Sequence, residues 1–141
     1  MTLTKLLLLP LLLHVLLTFF VGVRTLQARY KSVRRGQTKL DEIATDSNAW
    51  PSRVKKLGNN FDNQFQAPMF WYAVCALVVA LKLEDFVFVA LSWMFLFSRL
   101  AHSYVHTTHN DVPSRMRLFL FGFFAMVAMW LWFGLKFFVM T

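Results

Sequence analysis

The sequence predicts an all-helical membrane protein that forms a bundle of four transmembrane helices. Four long segments with almost no charge occupy residues 6–23, 65–81, 86–104 and 118–135. Each approaches the roughly 20 apolar residues that a helix needs to cross the hydrocarbon layer. Open sheets leave backbone groups unsatisfied in lipid, and the alternation typical of membrane barrels is absent. We therefore expect residues 1–141 to form a single helical membrane domain.

The first helix is predicted over about residues 4–36, because the chain after the apolar segment keeps residues that favour helices until Gly36. Lys5 before an apolar run is also typical of a signal peptide. The run is long, however, and no small-x-small cleavage site follows it, so we expect the helix to be retained.

A polar loop is predicted over about residues 37–58, and the second helix over about residues 59–82. Asn59 favours a helix cap, and Pro68 lies early in this helix, where proline is best tolerated.

The third helix is predicted over about residues 84–108 and the fourth over about residues 114–138. The carboxylates of Glu84 and Asp85 suit a helix N-terminus, and Pro113 separates the two helices.

Most basic residues of the chain, whose net charge is +8, lie in the connection after the first helix. The positive-inside rule then makes this loop cytoplasmic, together with the loop near Arg115 and Arg117, and leaves both termini on the opposite side. This distribution serves membrane orientation, so nucleic acid is not an expected partner. Lipid is the expected partner. A bacterial inner membrane fits the absence of retrieval signals, and an organellar membrane is the alternative.

Two groups of polar residues interrupt the apolar segments at helical spacing. They are Asn60, Asn63 and Gln66 in the second helix, and Arg99, His102 and His106 in the third. Each group shares one helix face. Polar side chains are costly in lipid, so we expect both groups to face the bundle interior, a subunit interface or a hydrated cavity.

Three arginines lie at the same end of the predicted bundle. Arg24 directly follows the apolar segment of the first helix, and Arg115 and Arg117 lie at the start of the fourth helix. They could anchor helix ends to lipid phosphates, or they could face the polar groups. The whole set offers cations and amides, with only Asp62 and Asp111 as nearby acids. Guanidinium groups grip carboxylates at two points and favour thiolates, so the set favours an anionic ligand.

The remaining histidines and the single cysteine allow other interpretations. His102, His106 and His109 form H-x3-H-x2-H, which could bind a metal or haem, but no set of carboxylates that would orient the ligating rings accompanies them. His14, alone in the first helix, favours a hydrogen-bonded interhelical histidine. Cys75 lies among Val, Ala and Leu, which favours a small apolar filler and gives no disulfide or thiolate metal site.

Two strings carry a resemblance to a known family. Residues 58–72 read G-N-N-F-D-N-Q-F-Q-A-P-M-F-W-Y, and residues 99–106 read R-L-A-H-S-Y-V-H, followed by Asn110 and by P-S-R at 113–115. The chain resembles the MAPEG family, the membrane-associated proteins in eicosanoid and glutathione metabolism. The first string looks like the asparagine-rich start of its second helix, and the second string looks like its R-x-x-H motif.

The resemblance implies a homotrimer of four-helix subunits that binds glutathione between neighbouring subunits near the cytoplasmic face. It implies that Arg24, Asn60 and Asn63 hold glutathione, and that Arg115, or Arg117 as the alternative, stabilises its thiolate. The other site residues that it implies are Gln66, Arg99, His102 and His106.

Two of these residues depart from the family pattern. Gln66 stands where many relatives have a glutamate that pairs with the glutathione amine, and His106 stands where some have a tyrosine. The predicted function is a glutathione-dependent transferase or peroxidase that acts on lipophilic electrophiles. The alternative, which Gln66 favours, is a non-catalytic protein that binds a lipid or an anion or regulates another membrane protein.

Overall fold

A computed structural model of the chain describes residues 1–140, and no strand occurs among them. The regular structure consists of six α-helices, a short 3-10 turn and a final π-helical turn. The α-helices are α1 (Leu3–Arg34), α2 (Leu40–Thr45), α3 (Ser52–Asp62), α4 (Ala67–Ala80), α5 (Phe86–Thr107) and α6 (Val112–Leu135). The 3-10 turn is Ser47–Ala49, and the π-helical turn is Lys136–Met140.

Three helices are long and apolar enough to cross a membrane: Leu3–Arg34, Phe86–Thr107 and Val112–Val139. They match the predicted first, third and fourth helices closely. The 32 residues of α1 extend over about 48 Å at about 1.5 Å per residue, well beyond a hydrocarbon layer of about 30 Å. The last turns of α1 therefore extend past the apolar part of the bundle.

The predicted second helix differs from the structure, because it is divided into α3 and α4 by a break at residues 63–66. Pro68 lies in the first turn of α4, and its ring would clash with the carbonyl of Gln64 if the helix continued upstream. The predicted loop over residues 37–58 is partly helical, since it contains α2 and the start of α3.

Trp71 of α4 is fully buried at the centre of the apolar core. Its ring centroid lies 4.6 Å from that of Phe95, and its Nε1 donates to Ser92 Oγ at 3.2 Å. Cys75 is fully buried in the same core, as its apolar neighbours in the sequence indicated. These contacts pack α4 against α5.

Helices α5 and α6 approach each other closely at Gly122. A Cβ atom at this position would overlap Ser98 Oγ and would lie 3.0 Å from Ser98 Cβ. The Ser98 hydroxyl donates to the carbonyl of Leu118 at 2.8 Å. The absence of a side chain at Gly122 therefore permits this packing.

Side-chain hydrogen bonds join the helices where α1 begins and α6 ends, a region called the closed end below. Thr4 Oγ1 donates to Glu84 Oε1 at 2.9 Å. Lys136 Nζ lies 2.7 Å from Asp85 Oδ2, which also accepts from Trp132 Nε1 at 3.0 Å. Partial burial acts to raise the pKa of Asp85, but the hydrogen bonds from Lys136 and Trp132 outweigh it and hold that pKa below its ordinary value.

Candidate functional site

The polar residues predicted from the sequence gather at the opposite end, where α1 ends and α6 begins, called the basic end below. Arg99 of α5 is only 2% exposed. Its Nη2 donates to the carbonyl of Asn63 at 2.9 Å. The break between α3 and α4 leaves carbonyls without a donor in their own helix, and the guanidinium of Arg99 supplies one. Asn63 itself is half-buried.

One buried amide ties α3 to α5, and a second ties the break after α3 back to Asn60. Asn60 Nδ2 donates to Ser103 Oγ at 2.9 Å, and Gln64 Nε2 donates to the carbonyl of Asn60 at 2.9 Å. Both amide side chains are at most 1% exposed. The Asn60 side chain is therefore buried and hydrogen bonded within its own chain.

His102 and His106 lie against the start of α6. His102 Nδ1 donates to the carbonyl of Arg115 at 3.1 Å, and the two histidine ring centroids lie 6.0 Å apart. Arg115 is half-buried, and its Nη1 donates to Asn110 Oδ1 at 2.7 Å. The structure thus brings both histidines next to the arginine predicted to stabilise a thiolate.

Asp111 fixes the first turn of α6 and so the position of Arg115. Its Oδ2 accepts from Ser114 N at 3.0 Å, as expected for a helix N-cap. Hydrogen bonds from the side chain and backbone of Ser114 hold the pKa of Asp111 below its ordinary value. Asn110 precedes it with a φ of 52°, a conformation that asparagine adopts more readily than most residues.

His14 is an interhelical histidine, as the sequence predicted. It is fully buried, and its Nδ1 is hydrogen bonded to the Tyr72 hydroxyl at 2.6 Å. The imidazole also meets the Trp71 ring edge to face, with centroids 5.6 Å apart. This contact joins α1 to α4 and is part of the packing between helices.

Arg24 and Gln66 lie away from this buried group. Arg24 is exposed and lines a crevice of about 400 Å³ between α1, α3 and α5, called the basic crevice below. Its other cations are Arg53 and Lys56. Gln66 is exposed at the break before α4, and its side chain does not cap that helix.

The basic crevice combines its three cations with apolar and hydroxyl-bearing side chains. Leu17 and Phe20 of α1 and Leu100 of α5 form part of its apolar wall, and Ser103 and Tyr104 of α5 contribute hydroxyl groups. No carboxylate lines the crevice within the part of the chain that the structure describes. An anion with an apolar portion is the kind of molecule that such a surface accommodates.

Arg53 and Lys56 were not predicted as site residues, because the sequence analysis placed them in a loop. In the structure they lie on α3, where the spacing i, i+3 places both at the crevice. Val54 and Gly58 are buried on the same helix. Apolar or small residues and basic residues thus follow each other in residues 53–58 at helical spacing. This pattern is the sequence signal that could have identified Arg53 and Lys56 as crevice residues.

The comparison with protein families decides the classification. The sequence profile of the MAPEG family matches residues 7–135, which include nearly all of α1 and all of the other α-helices. The chain belongs to the MAPEG family. The comparison with curated proteins found no match, and neither did the comparison with solved structures. MAPEG membership and the three apolar helices together make it an integral membrane protein.

In this MAPEG protein, the basic crevice and Arg115 lie on opposite faces of α5. His102, which contacts Arg115, lies two residues from both Leu100 and Tyr104, which line the crevice. Residues two apart on an α-helix point in nearly opposite directions. A molecule in the crevice is therefore separated by α5 from the Arg115 of the same chain.

The metal interpretation of H-x3-H-x2-H receives no support from the geometry. Among the described residues, no three His, Cys, Asp or Glu side chains are grouped so that they could hold a metal ion. His109 is exposed, and its Nδ1 lies 3.1 Å from Thr108 Oγ1. His102 and His106 are buried.

Proposed function

We propose that this MAPEG protein is a glutathione-dependent transferase or peroxidase that acts on lipophilic electrophiles. The observation that supports it best is the basic crevice, in which Arg24, Arg53 and Lys56 face one space with no carboxylate in the described lining. Glutathione carries two carboxylates, which arginine and lysine side chains bind as charge-assisted hydrogen bonds.

The apolar wall of the crevice supports a substrate that arrives from the bilayer. Phe20 and Leu100 line the crevice and are 60% and 38% exposed. In a membrane protein these surfaces contact lipid chains or a neighbouring subunit. A lipophilic electrophile dissolved in the bilayer therefore reaches the bound thiol without crossing water.

Arg115 is the proposed thiolate-stabilising residue, and its position supports a site shared between subunits. Because α5 separates Arg115 from the crevice of its own chain, a neighbouring subunit would supply the Arg115 that completes each site. We therefore propose a homotrimer with the basic end on the cytoplasmic side. In this arrangement α3 and α4 together form the fourth, broken crossing of each subunit.

The buried polar residues have a positioning role in this proposal. Asn60, Asn63 and Arg99 hold α3 and the break against α5, and His102 holds the start of α6. Their hydrogen bonds fix the spacing of the crevice walls. Arg24, together with Arg53 and Lys56, is proposed to hold the carboxylates.

The first test is a titration of the detergent-purified protein with glutathione, followed by calorimetry for binding and by ultraviolet difference absorbance for the thiolate. Lys56→Ala is expected to weaken binding, while Lys55→Ala, which removes the same charge from an exposed position outside the crevice, is expected to leave it unchanged. Arg115→Ala is expected to bind glutathione but to lose the thiolate signal and turnover. Equal binding by the two lysine variants would contradict the crevice assignment.

Mixed oligomers test whether each site is shared. In oligomers that contain both Arg115→Ala and Lys56→Ala subunits, the Arg115→Ala subunit supplies an intact crevice. The Lys56→Ala subunit supplies an intact Arg115. At a glutathione concentration too low to saturate Lys56→Ala, sites shared between subunits predict a turnover in the mixture above the average of the two variants measured alone. No recovery in mixtures shown by mass spectrometry to contain both subunits would place both residues of a site on one chain.

The second candidate is a MAPEG protein that binds a lipid or another anion without catalysis. It is favoured by the position of Gln66, which is exposed at the break and does not line the basic crevice. No carboxylate in the crevice is available for the glutathione amine within the described residues. Saturable glutathione binding without conjugation of chlorodinitrobenzene or reduction of lipid hydroperoxides would support this function.

A further inference from the structure

A second crevice lies beyond the apolar part of the bundle, between the end of α1 and the start of α3. It encloses about 490 Å³ and meets the basic crevice at Arg24 and Arg53, which line both. Lys31 of α1 and Arg35, the C-cap residue of that helix, line only this second crevice, which is called the juxtamembrane crevice below. Four cations from two helices therefore face one space.

These four cations have no carboxylate partner among residues 1–140. The ion pairs formed among the described residues are Lys39 with Glu42 and Lys136 with Asp85, and neither involves the crevice. No Asp or Glu belongs to the described lining. Four like charges converging without a counter-charge repel one another, so an anion bound among them relieves that repulsion.

Backbone groups of α3 add hydrogen-bond donors to the same space. Ser52 and Arg53 are the first residues of α3, and with Pro51 they line the crevice. The helix has no side-chain cap hydrogen bond at its N-cap, Pro51. The first N–H groups of a helix lack acceptors in the helix itself, and they favour negative charge.

The depth of the crevice relative to the membrane indicates what the anion is. Arg24 is the twenty-second residue of α1, about 32 Å from its start at about 1.5 Å per residue, which is close to the thickness of the hydrocarbon layer. Lys31 and Arg35 lie farther out, past the apolar segment. The crevice thus begins at the level of the lipid headgroups.

We propose that the juxtamembrane crevice binds a phosphate ester, with Arg24, Lys31, Arg35 and Arg53 as its cationic ligands. A phosphate group presents several acceptor oxygens and one or two negative charges, which match arginine forks and helix N–H groups. The phosphate can belong to the headgroup of an anionic phospholipid or to a soluble phosphate ester. This site shares Arg24 and Arg53 with the proposed glutathione site. Lys31 and Arg35 line only the juxtamembrane crevice, so variants at these two residues test the phosphate site independently.

The lipid source is tested by native mass spectrometry of detergent-purified protein mixed with phosphatidylglycerol and phosphatidylcholine of identical chains. We expect preferential retention of phosphatidylglycerol. The variant Lys31→Ala/Arg35→Ala removes two cations from the crevice and is expected to weaken retention roughly tenfold or more. The control Arg34→Ala/Lys55→Ala removes the same charge from exposed positions outside the crevice and is expected to retain the lipid.

The soluble source is tested by calorimetric titration of the same three preparations, with detergent only, using glycerol phosphate. Saturable binding that is lost in the crevice variant and kept in the control, with no selective lipid retention, would assign the site to a soluble ester. Binding of neither probe, or an equal loss in both double variants, would overturn the proposal. Lys31→Gln/Arg35→Gln provides a second crevice variant, and circular dichroism with elution volume verifies the fold of each protein.

Discussion

Gly122→Ala tests the close approach of α5 and α6. The added Cβ would overlap Ser98 Oγ and lie 3.0 Å from Ser98 Cβ, so the serine side chain must rotate or the helices must separate. Rotation breaks the hydrogen bond from Ser98 to the Leu118 carbonyl. We therefore expect the variant to be less stable even though alanine is the better helix former.

The magnitude follows from three contributions. Overpacking a well-packed contact costs about 1–3 kcal/mol. Loss of an interhelical hydrogen bond in a membrane protein costs about 0.6 kcal/mol on average. The better helix propensity of alanine returns up to about 1 kcal/mol. The net expectation for Gly122→Ala is a loss of about 1–3 kcal/mol in the free energy of unfolding.

The assay is reversible unfolding in mixed micelles, monitored by far-ultraviolet circular dichroism. Gly134→Ala is the matched control, because a Cβ at Gly134 meets nothing within 4 Å, and we expect it to be neutral or slightly stabilising. Ser98→Gly combined with Gly122→Ala removes the obstructing atoms and should recover part of the loss. If Gly122→Ala unfolds like Gly134→Ala, the reasoning about this contact is refuted.

Three further predictions concern polar groups. The pKa of Asp85 lies below its ordinary value. The Asp85 carboxylate therefore contributes to stability at neutral pH, and this contribution is lost as the pH falls below about 4. Acid unfolding curves should show this loss for the native chain and not for Asp85→Asn. Asn60→Ala should lower the free energy of unfolding by about 1–2 kcal/mol, because it leaves Ser103 without its buried hydrogen-bond donor. The control Asn59→Ala changes an exposed position and should have no such effect. Equal effects of the two variants on urea unfolding would contradict the role of Asn60. Arg99→Met removes the donor to the Asn63 carbonyl and should lower the free energy of unfolding by about 1–3 kcal/mol. A neutral or stabilising effect in thermal unfolding would mean that burying the charge costs more than this hydrogen bond contributes.

Hydropathy and spacing predicted most of the helical architecture. Residues 4–36, 84–108 and 114–138 were predicted as helices, and α1, α5 and α6 lie at those places. Long apolar segments are reliable signals because lipid leaves helices as the available backbone structure. The MAPEG resemblance, carried by two polar strings, was confirmed over residues 7–135.

The break at residues 63–66 could not be predicted from apolar content, because it depends on a contact between distant residues. Pro68 explains why the helix does not continue upstream. The carbonyl of Asn63, which has no donor within its own helix, accepts a hydrogen bond from Arg99, 36 residues away in the sequence. A one-dimensional pattern does not contain that pairing.

The location of the crevice cations also depended on tertiary structure. The sequence analysis identified Arg24, which lines both crevices. Arg53 and Lys56 appeared to be loop residues, since α3 is short and its mean hydropathy is low. Packing of α3 against α1 and α5 gives that helix its stability and turns its bases toward the crevices. Asn60 and Arg99, which the sequence analysis named as site residues, are buried and hydrogen bonded within the chain.

The hydrogen bonds of the closed end have a consequence for how the subunit opens. There, side chains of Thr4, Lys136 and Trp132 link the start of α1 and the end of α6 to the turn between α4 and α5. The opposite end has two crevices between α1 and its neighbours. The start of α1 is therefore fixed by side chains, and beside the crevices α1 is joined to α3 by the hydrogen bond from Thr25 to the Leu57 carbonyl. The width of both crevices depends on the angle that α1 makes with α3 between these two attachments.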